Sequence, residues 1–150
     1  MKTSGWNGTI RGKPDIGASA ERTKQVDERD IELFAQITGD RNPLHFDAEA
    51  AGRSMFGGLI VQGGITSGLL NAIVAEDLPG PGTVFLSVEW KFVKAVYVGD
   101  SITGRVEITT VRDDKPICTI ATSVRNQDEV VCLSGSATTY TVELKISERQ

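Results

Sequence analysis

An aspartate and the only histidine of the chain, Asp40 and His45, stand five residues apart in the run Thr38-Gly39-Asp40-Arg41-Asn42-Pro43-Leu44-His45. A carboxylate and an imidazole that face one pocket can share a water. One takes its proton, and the other orients it or protonates the product. Irregular links held by a rigid scaffold are common homes for such groups. Residue types alone leave plainer roles open. A loop histidine is more often a structural hydrogen-bonder, and an aspartate after glycine is more often a turn residue or cap. Metal chemistry has little material to work with. With one His and two Cys, Cys118 and Cys132, four-ligand zinc spacing is absent and no metal ligands are assigned. The two cysteines are expected as free buried thiols in a reducing cytoplasm.

The elements around that link follow from periodicity and caps. Residues 23–26 suit a short edge strand. Asp27, with Asp30 three residues on, predicts a capped helix whose apolar face holds Ile31, Phe34, Ala35 and Thr38. Gly39 ends it, and Pro43 biases Asn42 away from helix, so residues 40–44 are expected as an irregular link. Asp47 caps a short helix through Ala51. The 22 residues 54–75 carry no charge, but their glycines and polar residues argue against a membrane span. They read as a Gly-rich loop running into a buried helix over residues 63–75.

From Thr83 the period becomes two. Val84, Leu86, Val88, Trp90 and Phe92 alternate with Ser87, Glu89 and Lys91, which predicts one buried face. Further strands are expected near residues 102–109, 117–125 and 130–140, joined by short turns as an antiparallel meander. The fold class is therefore α+β, with a central helix covered by a sheet and a dimer covering what the sheet leaves open. One core is expected from 150 residues: a loose polar extension over 1–22, the domain over 23–142, and a frayed charged tail over 143–150. The net charge of −4 and pI near 5.0 argue against nucleic acid or an anionic membrane surface as partner. Residues 1–20 contain no apolar stretch of the secretory kind.

The run around Asp40 resembles the signature of the MaoC-like, (R)-specific enoyl-CoA hydratase family. Phe34, Ile37, Thr38, Gly39, Asp40, Asn42, Pro43, Leu44, His45 and Ala51 fit that pattern. Gly58-Leu59-Ile60-Val61-Gln62-Gly63 is similar to the family's loop into its central helix, and the turns at 98–100 and 114–116 also correspond. The resemblance implies a hot dog fold, usually dimeric, and reversible syn hydration of a trans-2-enoyl thioester to an (R)-3-hydroxyacyl thioester. It makes Asp40 the group that activates water and His45 the group that binds the same water. It makes Gly63 the backbone N–H donor to the thioester carbonyl, a place where developing negative charge is favoured. Asn42 would hold the loop or the histidine. Asn71 stands where related enzymes carry a pocket serine, which implies a short or polar acyl chain. Coenzyme A would be part of the substrate, and no separate cofactor is expected.

The chain departs from the family pattern at Gln62-Gly63-Gly64, where His-Gly-Met is common. The carrier could be coenzyme A or acyl carrier protein. A hot dog thioesterase would need a carboxylate on the central helix, and residues 54–75 have none. A non-catalytic acyl-thioester-binding subunit would not need both Asp40 and His45. Arg41, Arg53, Lys91, Lys94 and Arg112 could rim a coenzyme phosphate site, although a charged side chain is usually solvated surface.

Overall fold

The computed structural model describes residues 4–146. Strand β1 (Ser19–Gln25) leads into helix α1 (Glu28–Thr38), the single-turn α2 (Pro43–Phe46), the short α3 (Ala48–Arg53) and the long α4 (Gly63–Glu76). Strands β2 (Thr83–Phe92), β3 (Ser101–Val111), β4 (Ile117–Arg125) and β5 (Val131–Thr141) follow. All pair antiparallel in one sheet, ordered β1-β3-β4-β5-β2. Helix α4 packs on that sheet, chiefly against β3, in the expected hot dog arrangement.

Helix α4 is apolar on most sides, and Leu69, Leu70, Ile73 and Val74 bury against the sheet. Each such side chain contributes roughly 1.5–3 kcal/mol. Gly104 makes the approach of α4 to β3 possible. A Cβ there would lie 3.1 Å from Ile73 Cδ1 and 3.2 Å from Leu69 Cγ. The opposite face of α4, with Gly68, Asn71 and Ala75, stays at least partly open. The sheet therefore covers the helix on one side only. Among the described residues no helix is long and apolar enough to cross a membrane.

Three expectations need correction. The meander holds only for β3, β4 and β5, because β2 crosses to the far edge and pairs with β5. The alternation read in β2 also slips. Leu86 is an extra residue between the Phe85↔Thr139 and Ser87↔Thr138 pairs. The bulge puts Phe85, Val88, Trp90 and Phe92 on the helix side and turns Val84 outward. Phe85 and Trp90 then meet edge-to-face at 5.7 Å. Lying at a sheet edge, Val84, Leu86, Val88 and Phe92 are all more than 40% exposed.

The third concerns the chain ends. Residues 4–22 are not loose. Trp6 is only 3% exposed, and its indole N–H donates to Arg112 O at 2.7 Å. Gly5 N–H donates to Asp113 O, and Leu144 N–H donates to Gly8 O. One buried indole thus anchors the polar start to the β3–β4 turn and to the tail. Strand β1 also begins at Ser19, four residues before the expected boundary. Residues 147–150 of the expected frayed tail lie outside the described residues.

Candidate active site

Local capping builds the loop that carries Asp40. Asp27 and Asp30 form the reciprocal capping box of α1, with bonds of 3.0 and 3.1 Å. Desolvation works against ionising Asp30, but the Asp27 backbone N–H and Lys24 outweigh it and hold the carboxyl below its ordinary range. At the other end Gly39 takes φ 82°, left-handed geometry that glycine adopts without strain. The chain turns there and presents Asp40. The link is less irregular than expected, because Pro43 opens α2 and supplies its preset φ. Asn42 caps that turn, accepting from Leu44 N–H at 3.1 Å. Its side-chain oxygen is therefore engaged with the backbone of its own turn.

Helix α2 points His45 inward, where it is 8% exposed. Its Nδ1 lies 2.7 Å from Ile60 O. A carbonyl can only accept, so Nδ1 carries the proton and Nε2 is the free acceptor of the neutral ring. Nε2 faces Asp40 Oδ2 at 3.9 Å. That separation is too long for a hydrogen bond and suits two acceptors converging on one water between them.

The segment that receives His45 leads directly into α4. Gly63, its first residue, has an N–H with no helical acceptor. Beside it lies a cavity of about 300 Å³ lined mainly by apolar side chains, including Phe56, Ile60, Phe92 and Val96, together with Gly63, Thr66 and Lys94. Ile60 is thus a shared wall, bonded to His45 and lining this cavity. His45 itself opens onto a second recess with Glu28, Ile31, Phe46, Ala48 and Leu59.

Of the expected site residues, Asp40, Asn42 and His45 lie together on the link after α1, and Gly63 starts α4 three residues after Ile60, to which His45 bonds. Asn71 does not join them. It is exposed on α4 and does not line the cavity beside Gly63. Five residues at 100° each carry it about 140° round the helix from Thr66. Of the five cations considered for a rim, Lys94 alone lines the cavity. Arg41 pairs with Glu32, Arg53 with Glu49, and Arg112 with Asp114. Lys91 lines a separate surface recess. Among the described residues no group of three or more His, Cys, Asp or Glu is placed to hold a metal ion.

Sequence reasoning missed the work of Gln62 and Gly64. Gln62 is 1% exposed, and its Nε2 donates to Ile31 O of α1 at 3.1 Å. Gly64 lies under the Phe34 ring, where a Cβ would come within 2.3 Å of Cζ. Together they seat α1, which ends at the Asp40 loop, on the first turn of α4. The signal was present as a departure from His-Gly-Met, but its meaning required the position of α1.

The model of the MaoC-like domain matches residues 11–130. The chain is 33% identical over 123 residues to an (R)-specific enoyl-CoA hydratase of Aeromonas caviae, covering 82% of this chain and 92% of that protein. It is 36% identical over 123 residues to a 3-hydroxybutyryl-CoA dehydratase of Methylorubrum extorquens, covering 82% and 78%. Among solved structures it is similar to an unliganded R-hydratase of Pseudomonas aeruginosa, with TM-score 0.81 and 33% identity, covering 91% of this chain and 90% of that one.

Proposed function

We propose that this chain, which belongs to the MaoC-like domain family, is an (R)-specific enoyl-CoA hydratase that adds water reversibly to a trans-2-enoyl-CoA. The observation that carries the reading is the Asp40–His45 pair, 3.9 Å apart, with Asp40 bonded to Asn42 N–H and His45 to Ile60 O in the segment that leads into α4. Water is a poor nucleophile toward a β-carbon and needs a base at one end and charge relief at the other. Asp40 takes a proton from the water while His45 Nε2 accepts its second hydrogen bond. The hydroxyl adds to C3, and negative charge passes through C2 to the thioester oxygen. The Gly63 N–H, with the α4 dipole behind it, stabilises that charge. C2 then takes that proton back from the Asp40 carboxyl on the same face, which gives syn addition and the (R)-3-hydroxyacyl product. The balance is one water across one double bond, with coenzyme A leaving and entering as part of the substrate and no separate cofactor.

The active form proposed is a homodimer or higher homo-oligomer. The apolar residues exposed along edge strand β2 and the open face of α4 support this, since edge strands are normally covered or blunted. The proposed compartment is the cytoplasm, consistent with Cys118 and Cys132 being free and buried. Crotonyl-CoA tests the activity. The expected result is loss of the enoyl absorbance with (R)-3-hydroxybutyryl-CoA as the product on chiral analysis. Release of free coenzyme A without hydration would instead make the protein a thioesterase, and binding without either reaction would make it a non-catalytic subunit. A particle of monomer mass in solution would overturn the dimer.

A further inference from the structure

The geometry points to Thr66 as a second hydrogen-bond donor to the substrate's thioester carbonyl, alongside Gly63; this rests on the hydratase reading above. Thr66 sits on the first turn of α4, one turn after Gly63, and both line the same cavity. It is 3% exposed, yet its hydroxyl makes no hydrogen bond among the described residues. A threonine in a helix ordinarily settles its hydroxyl on the carbonyl one turn back. Thr38 does so in this molecule, donating to Phe34 O at 2.8 Å, and Ser67 reaches Gly64 O at 3.4 Å. Thr66 leaves that option unused.

Its oxygen is also absent from the fully enclosed polar atoms that lack a partner. The little of Thr66 that remains accessible therefore includes the hydroxyl oxygen, on the side of the cavity. Apart from Lys94, the other side chains lining that cavity are hydrocarbon. A hydroxyl that opens onto a cavity with no protein acceptor bound keeps its donor for whatever fills that cavity. A substrate oxygen supplies the acceptor. A carbonyl has two acceptor directions, so one oxygen can take the Gly63 N–H and the Thr66 hydroxyl together. Both donors are fixed by the same helical turn, so neither must reorganise as charge develops on that oxygen.

Two substitutions separate the hydroxyl from the volume it fills. Thr66→Val keeps the shape and removes the donor. Thr66→Ser keeps the donor and removes a methyl. With crotonyl-CoA, Thr66→Val should lose about 10²-fold in kcat, the lower end of the effect of one such donor. Thr66→Ser should stay close to the parent. The reverse order, with Val active and Ser impaired, would make Thr66 a packing residue and overturn the assignment. Butyryl-CoA, which is saturated and cannot be hydrated, gives a reading that does not depend on turnover. The infrared carbonyl stretch of the bound thioester should fall in the parent chain and recover part of the way in Thr66→Val. An equal shift in both proteins overturns the second donor even if hydration is observed. A parent chain that shifts the carbonyl but does not hydrate crotonyl-CoA overturns the hydratase reading and leaves Thr66 as a donor. A parent chain that binds neither thioester overturns both.

Discussion

Removing the two proposed acid–base groups separately should give the same loss of rate but different losses of stability. The Asp40 side chain is 39% exposed and accepts one long bond, from Asn42 N–H at 3.2 Å. Asp40→Asn keeps that acceptor, so stability should change by less than about 0.5 kcal/mol. His45 is buried and bonded to Ile60 O at 2.7 Å. His45→Gln removes a ring held by that bond and leaves the carbonyl poorly met, a cost of about 1–3 kcal/mol. For the rate, each group should contribute about 10²–10⁴-fold, or about 2.7–5.4 kcal/mol of barrier. The two act on one water, so the double variant should lose little more than the worse single variant rather than the product of both. Turnover of crotonyl-CoA per folded molecule and urea denaturation of the same preparations measure the two quantities. A near-parent rate in either single variant would remove that residue from the site. Multiplicative losses in the double would refute the shared water.

The N-terminal segment should be part of the fold: Trp6→Ala should destabilise by about 3–5 kcal/mol, as removal of a buried indole does, measured by chemical denaturation. Gly135 has φ 155°, and a Cβ there would lie 1.9 Å from Glu89 O across the β2–β5 pairing. Gly135→Ala should therefore cost about 3 kcal/mol, seen as a melting temperature lower by roughly 6–12 °C. Burial pushes the Cys118 thiol from 9.0 up to about 11, so it should resist alkylation at neutral pH until the chain is unfolded. With the folded value above the unfolded one, this group's contribution to stability is complete below pH 9.0 and is lost as pH rises through about 11, which denaturation midpoints across that range would show.

Features fixed by neighbours in the chain were legible from the sequence alone. The capping box at Asp27 and Asp30, the left-handed stop at Gly39 and the start of α4 at Gly63 appear where spacing put them. So do the bounds of β2 and β4. Caps, turns and periodicity are local interactions, and a local pattern records them. The Asp40–His45 pair was singled out by its resemblance to a family signature, whereas the turn of α2, capped by Asn42, that lies between the two was read as an irregular link. Tertiary structure decided what depends on distant partners. Strand β2 pairs with β5 because pairing is a choice among all edges, and sequence order does not rank them. The bulge at Leu86 reversed the facing of Val84 and Phe85, since one inserted residue shifts a period of two. The burial of Trp6 against the Arg112 turn, the exposure of Asn71 and the Gln62 bridge to α1 each rest on where a second element lies. The free hydroxyl of Thr66 belongs with them, because whether a buried donor has a partner can be read only once everything around it has been placed.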